Sequence, residues 1–333
     1  MFLTHSNMNY STQLQLIENI PHPQYVNMIT DGGMVVAKGL RLLPDIIFRN
    51  TLNKNPYTAE QIKKLTSNPE IKIGFILATG GSVWSGHKST VKLSDAYPVH
   101  KVMLLGTTHI YAGKIANSLG KFDYITTNCS SCTSGHSSWQ IAKMLIDTKT
   151  LDAVVVVALD NATAEENLHV FAKTGLCKKA SEEGNPDIVK FHLGQGCHIG
   201  IFESERSINI SKNTPLAEIE KIAVTCEHSS NPIGMLPSGE GYHDVITDVM
   251  KGAYDFIKPH GTYTDTNFPE EEIIKQIFGD IITHTYKLRI GHTLGASTAL
   301  ETALAIEEHT GRFISLGAGM GNTFSAASVR IIK

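Results

Sequence analysis

The run "DAVVVVALD", residues 152–160, constrains this chain more than any other stretch. It has no polar alternation, so it reads as a sheet strand buried on both faces. Such a strand needs cover above and below, which helices supply. Strand-like and helical runs alternate around it. "IKIGFILAT" (71–79) is apolar and breaks at Gly80–Gly81. "HIYAGKIANSLG" (109–120) reads as a helix closed by Gly120, "DYITTN" (123–128) as a strand and "SGHSSWQIAKMLID" (134–147) as a helix.

The second half repeats the style. "AEIEKIAVTCE" (217–227) reads as a strand and "GYHDVITDVMKGAYDFI" (241–257) as a helix. "EEEIIKQIFG" (270–279) is a short helix with a glycine stop, and "RIGHTLGASTALETALAIEEHTG" (289–311) contains another. "FISLGAGMGNTFSAASVRIIK" (313–333) reads as two final strands around a glycine-rich turn. The order predicts α/β layers in one compact body. Both halves end in a helix and then β-rich sequence, which hints at a duplicated unit. The first 60 residues are the least legible, and "NTLNKNPYTAEQIKKLTSNPE" (50–70) reads as a polar surface insertion.

With 41% hydrophobic and 18% charged residues over 333 positions, the chain can bury a sizeable core. A formal charge of −3 gives no global attraction to nucleic acid or an anionic membrane. No run approaches the roughly 20 apolar residues that span a bilayer, and the N-terminus lacks a basic segment followed by an apolar one. The five cysteines are scattered and odd in number, which argues against a secreted disulfide framework. A reducing cytoplasm is the expected location.

Two cysteines stand three apart in "TTNCSSCTSGHSS" (126–138). A structural zinc site needs a second close pair, and Cys177, Cys197 and Cys226 do not form one. A redox pair fits the spacing of Cys129 and Cys132, yet belongs in a short thioredoxin-like unit. A single nucleophile fits Cys132, because the chain runs from it straight into a helix. The unpaired amides and positive end of that helix favour the thiolate. Plain burial of the thiol is the simplest reading of the local sequence alone. His260, in "IKPHGTYT", and His292, in "KLRIGHTLGAST", lie at loop-to-helix junctions. A cysteine with two such histidines is a constellation that acyl transfer can use.

These residues resemble the elongating β-ketoacyl-acyl carrier protein synthases of the thiolase-fold superfamily. "CTSGHSS" is similar to the nucleophile segment of that family, and its glycine three places on selects Cys132 over Cys129. "HGTYT" (260–264) is similar to the first histidine motif, and "KLRIGHTLGA" (287–296) to the second, with Lys287 five before His292. "LGAGMGNT" (316–323) resembles the glycine-rich GFGGTN loop, "LGQGCHIGIFESE" (193–205) the LGEG strand and "PSGEG" (237–241) the turn before a helix. The resemblance covers residues 71 to 333. It implies two βαβαβαββ halves in a five-layered α/β/α/β/α body, one over 1–205 with the nucleophile and one over 206–333 with the histidines. This chain departs from the family at several points. No VTGxG strand is visible at the N-terminus, and the segment before LGEG is shortened to "NPDIVKF" (185–191). Gln195 stands for the LGEG glutamate, Lys258–Pro259 precede His260, and Ala318 stands where the family has a gating phenylalanine.

The resemblance implies a decarboxylative condensation without metal or cofactor. Cys132 would carry the acyl group, while His260 and His292 would hold the enolate oxygen of decarboxylated malonyl on an acyl carrier protein. Lys287 would order the polar network around the histidines. The backbone near Gly317, Ala318 and Gly319 would complete an oxyanion hole, and Thr262 and Thr264 would bind the phosphopantetheine arm. A homodimer, or a heterodimer with a related ketosynthase subunit, is expected. Two other roles share the fold: a non-catalytic chain-length subunit, which lacks the reactive cysteine, and an acyltransferase. An unguarded pocket beside Ala318 would admit bulky or unsaturated chains, and oxidation would pair Cys129 with Cys132.

Overall fold

A computed structural model describes residues 1–12, 43–81, 107–162, 171, 191, 193–228, 239–263 and 267–333. Thr264, Cys177 and the shortened stretch 185–190 lie outside them, as do Pro237 and Ser238.

In the first half, β1 (Phe2–Thr12) precedes α1 (Leu43–Lys54) and α2 (Pro56–Thr66). Then come β2 (Ile73–Ala78), α3 (Thr108–Leu119), β3 (Tyr124–Asn128), α4 (Ser134–Asp147), β4 (Ala153–Asn161) and β5 (Gly194–Glu203). After α5 (Glu205–Ser211), the second half has β6 (Ala217–Cys226), α6 (Glu240–Val249), β7 (Phe256–Lys258) and α7 (Asn267–Phe278). It ends with β8 (Ile282–Thr283), α8 (Lys287–Ile290), α9 (Ser297–Glu308), β9 (Arg312–Gly319) and β10 (Thr323–Ile331).

The strand order is β3-β2-β4-β5-β1-β6-β10-β9-β7-β8. It divides at the β1–β6 junction, where only Phe2↔Glu218 and Leu3↔Ala217 pair. Number the five strands of each half in chain order, and each half reads third, second, fourth, fifth, first. The senses match too. β2 runs parallel to β3 and β4, and β7 runs parallel to β8 and β9. The last strand of each half, β5 or β10, is antiparallel to both of its neighbours. The duplication that residue identity only hinted at is therefore visible in topology.

Three apolar clusters separate the layers. The central one joins Trp139, Ala142 and Ile146 of α4 to Leu300, Ala303 and Leu304 of α9, with strands of both halves of the sheet around them. Alternate residues divide each strand between clusters. Val154 and Val156 of β4 face the centre, while Val155 and Val157 face α1, α2 and α3. Ile314 and Leu316 of β9 face α6 and α7 on the opposite outside. A fully buried valine contributes about 1.5–3 kcal/mol, so the unbroken β4 run anchors both contacts at once. Helices thus cover both outer faces, and α4 with α9 fills the middle layer of this thiolase-like α/β fold.

The N-terminal strand is present after all. β1 was hard to read because polar side chains fill it, and Thr4, Ser6 and Asn7 each find a partner. Thr4 donates to Glu203 at 2.5 Å, Asn7 donates to the Thr51 carbonyl at 2.6 Å, and Ser6 pairs with His198 at 3.1 Å. Residues 50–70 are not a surface insertion, because Ile62 and Leu65 of α2 lie fully buried on the sheet beside Ile47 and Phe48 of α1. The helix expected over 241–257 stops at Val249. Gly252 then turns the chain at φ +79°, and a short strand follows.

Candidate active site

The hydroxyl-rich segment builds a turn that delivers Cys132 to the start of α4. Ser131 adopts φ +52°, and Ser131–Thr133 form one 3-10 turn. The Ser134 hydroxyl donates to the Thr79 carbonyl at 3.0 Å and accepts from the Ser130 amide at 2.8 Å. The Asn128 amide reaches the Ser134 carbonyl and the Ser138 hydroxyl, both at 3.2 Å. The hydroxyls thus satisfy backbone that a tight turn would leave bare. Gly135 is required here, since a Cβ would lie 2.6 Å from the Ala299 amide nitrogen of α9.

Cys132 is buried among Ala162, Phe171, Phe191, Leu193 and Leu294. Burial pushes its thiol up to about 11, against the opposing pull of the Ser131 hydroxyl and the Lys287 charge. The expected bias toward thiolate from the helix terminus is overridden at rest by loss of water. Cys129, at the exposed end of β3, is a separate free thiol. Among the described residues, no cluster of three or more histidine, cysteine or carboxylate side chains could hold a metal ion.

The two histidines lie together, with His292 the nearer to the thiol cluster. The Phe191 ring, which lines the thiol cluster, packs edge-on against His292 at 5.1 Å. His292 in turn faces His260 with ring centroids 5.4 Å apart. His292 is fixed through its backbone, since its carbonyl accepts from Gly194 of β5 at 3.0 Å. His260 follows β7, and its amide and that of Gly261 donate to the buried Glu270 carboxylate at 2.5 and 2.9 Å. Burial holds both imidazoles neutral, with Lys287 adding to the effect; His292 falls to about 3.

Lys287 decides where the His260 proton sits. Its Nζ lies 3.3 Å from His260 Nδ1, 2.6 Å from the His260 carbonyl and 2.7 Å from Glu301 Oε1. An ammonium has protons to give and no lone pair, so Nδ1 accepts and the ring proton is on Nε2. Glu301 is fully buried, and burial alone would raise its pKa. Lys258 and Lys287 outweigh that and bring it to about 2. Lys258, also fully buried, donates to Glu301 Oε2 and to the Leu316 carbonyl, both at 2.9 Å.

The glycine-rich residues divide. Gly319 abuts the Cys132 turn, with a Cβ there lying 3.1 Å from the Cys132 amide nitrogen. Gly317 lies instead against Thr298 and Ser325. The Ala318 side chain points into the outer cluster with Tyr242, Ile246 and Phe324, so it does not border the thiol cluster as a gate would. Thr262 is buried on the His260 loop. A cavity of about 370 Å³ lies behind that loop, lined by Pro259, Gly261, Tyr263 and Thr285 rather than by the thiol or either imidazole.

Sequence reading missed four charged residues of the site: Lys258, Glu270, Glu301 and Asp160. Asp160 ends the apolar β4 run and accepts from the amides of Gly80 at 2.5 Å and Gly295 at 2.8 Å. For Lys258 and Glu301 the available signal was a lone charge inside an apolar run, as in "FIKP" and "ALETALAI".

No protein-family model and no curated protein matches the chain. Solved structures do. A type II PKS acyl-carrier protein in complex with its ketosynthase, bound to the hexaketide, matches over 100% of this chain and 99% of that one, at TM-score 0.76 and 14% identity. A β-ketoacyl synthase from Burkholderia phymatum STM815 matches over 100% and 99%, at TM-score 0.75 and 13% identity. The ishigamide ketosynthase/chain length factor matches over 79% and 76%, at TM-score 0.66 and 17% identity. The chain has the fold of the ketosynthases.

Proposed function

We propose that this chain is a condensing acyltransferase that joins an acyl group on Cys132 to a malonyl unit on an acyl carrier protein. One observation carries the reading: a buried thiol, at the entrance of a central helix, lies in an apolar cluster whose Phe191 packs against the neutral His292, which in turn faces the neutral His260.

Cys132 loses its proton as it attacks the acyl thioester, and the carrier thiolate leaves and takes that proton. The covalent acyl-enzyme splits one difficult step into two. The apolar surround of Ala162, Phe171, Phe191, Leu193 and Leu294 suits an alkyl or polyene chain. Malonyl then enters. Its carbon–carbon bond breaks, carbon dioxide departs, and the electron pair passes into an enolate. The Nε2–H of His260 and that of His292 donate to the enolate oxygen. Donors of this kind contribute about 10²–10³-fold each. The enolate carbon attacks the acyl-Cys132 carbonyl, whose oxygen is held by amides of Cys132 and the turn after Gly319. Expulsion of the Cys132 thiolate, which takes up a proton from solvent to restore the thiol, leaves a β-ketoacyl group on the carrier. Thr262 and Thr264 would hold the pantetheine arm.

Incubation with an acyl thioester and malonyl-carrier should give the β-keto product. His260→Asn and His292→Asn should each lower condensation about 10²–10³-fold while leaving acyl loading nearly intact. Wild-type protein that takes no acyl group on Cys132 would refute the reading. The likeness to a ketosynthase/chain length factor favours a second one, in which this chain is a partner subunit. Acyl loading only in the presence of another subunit's cysteine would support that alternative.

A further inference from the structure

Lys258 is the last residue of β7, two places before His260, and no part of its side chain meets water. Its ammonium touches two elements. Glu301 Oε2 belongs to α9, and the Leu316 carbonyl belongs to β9, three places before the Gly319 that abuts Cys132. Glu301 divides its oxygens. Oε2 serves Lys258, while Oε1 serves Lys287 and the Ser297 hydroxyl. Of the three contacts made by Lys287, the one to His260 Nδ1 is the longest, 3.3 Å against 2.6 and 2.7 Å. It is therefore the first to give way if Glu301 moves. A carboxylate stripped of one cation in a dry site draws the remaining ammonium onto both oxygens.

We infer that Lys258 is a positioning residue which, by holding Glu301 and Leu316, keeps Lys287 on His260 Nδ1 and the imidazole proton on Nε2. The inference rests on the condensation reading for its catalytic consequence, not for its structural one. Lys258 touches no reacting atom. It fixes the donor that holds the enolate oxygen.

Two readouts test it. In Lys258→Met, acyl loading of Cys132 should stay within about 3-fold of wild type, while malonyl decarboxylation and condensation fall about 10–100-fold, as when other oriented imidazoles lose an outer partner. Lys258→Gln, which keeps a donor, should recover part of the loss. Equal falls in loading and condensation, or a Met variant within about 3-fold of wild type, would overturn the inference. The second readout needs no substrate. Nitrogen-15 histidine NMR should place the His260 proton on Nε2 in wild type and on both nitrogens in Lys258→Met. An unchanged tautomer overturns the inference whether or not the wild-type protein condenses. If neither Lys258 variant folds, Glu301→Gln removes the anion that would draw Lys287 away. The Lys287 contact to Nδ1 and the Nε2 tautomer should then persist, and a tautomer mixture there would overturn the inference.

Discussion

The two central helices begin alike and do different work. Before α4, Ser131 takes φ +52° and a 3-10 turn follows; before α9, Leu294 takes φ +46° and a 3-10 turn follows. The second residue of the first turn is Cys132, and that of the second is Gly295. The glycine leaves no room for a side chain, since a Cβ would lie 2.0 Å from the Gly80 amide nitrogen. Its own amide is held by Asp160 at 2.8 Å. Duplication therefore supplied one backbone device twice. One copy presents the Cys132 thiol and the other carries close packing, with His292 displayed just ahead of it.

Substitution at the two equivalent positions should separate these roles. Cys132→Ala should abolish acyl loading, by more than about a thousandfold, with little change in stability. Gly295→Ala should do the reverse, costing about 3 kcal/mol or more, because backbone meets backbone and neither can yield. Thermal unfolding and intact-protein mass spectrometry read both. If Gly295→Ala is as stable as wild type, the contrast between the halves is wrong.

A second test reaches the interior between the halves. His136 of α4, His198 of β5, and His260 and His292 of the site are all buried and held neutral by desolvation, His198 and His292 at about 3. The sign follows from which state takes up the proton. Unfolded histidines gain protons as pH falls below about 6.5, while these folded ones do not, so stability falls with pH. Each contributes up to about 1.4 kcal/mol per pH unit below that point. Denaturant titrations at pH 7.5 and 5.5 check it. A flat profile between them would mean that these imidazoles are protonated in the fold.

The smallest effects concern the turn between β9 and β10. Ala318→Phe should cost about 1–3 kcal/mol by overfilling the outer cluster, and leave acyl chain preference unchanged. Met320 follows Gly319 and is 39% exposed. Met320→Phe should alter chain preference with stability within about 0.5 kcal/mol. Product analysis with short and long acyl thioesters distinguishes the two positions.

Much of this was legible in sequence for a physical reason. β4 is covered on both faces, so its apolar run is continuous. Cys132, His260, His292 and Lys287 sit in short segments of unusual composition. β1 was illegible because its side chains Thr4, Ser6 and Asn7 find partners 44 to 199 positions away. α1 and α2 hide their buried residues among lysines and asparagines. The clamp of Lys258, Lys287 and Glu301 spans 43 positions, from 258 to 301, and no local pattern announces a carboxylate shared by two lysines. Ala318 was misread because a strand's alternation, rather than its place in a motif, decides which way a side chain points.

The central claim is that the thiol at the first helix entrance is the acyl carrier of this fold. Exposure of wild-type protein to an acyl thioester, followed by intact mass and peptide mapping, tests it most directly. The account predicts one added acyl group, located on Cys132 and absent from Cys132→Ala. An unmodified protein, or an acyl group on Cys129 in its place, would contradict it.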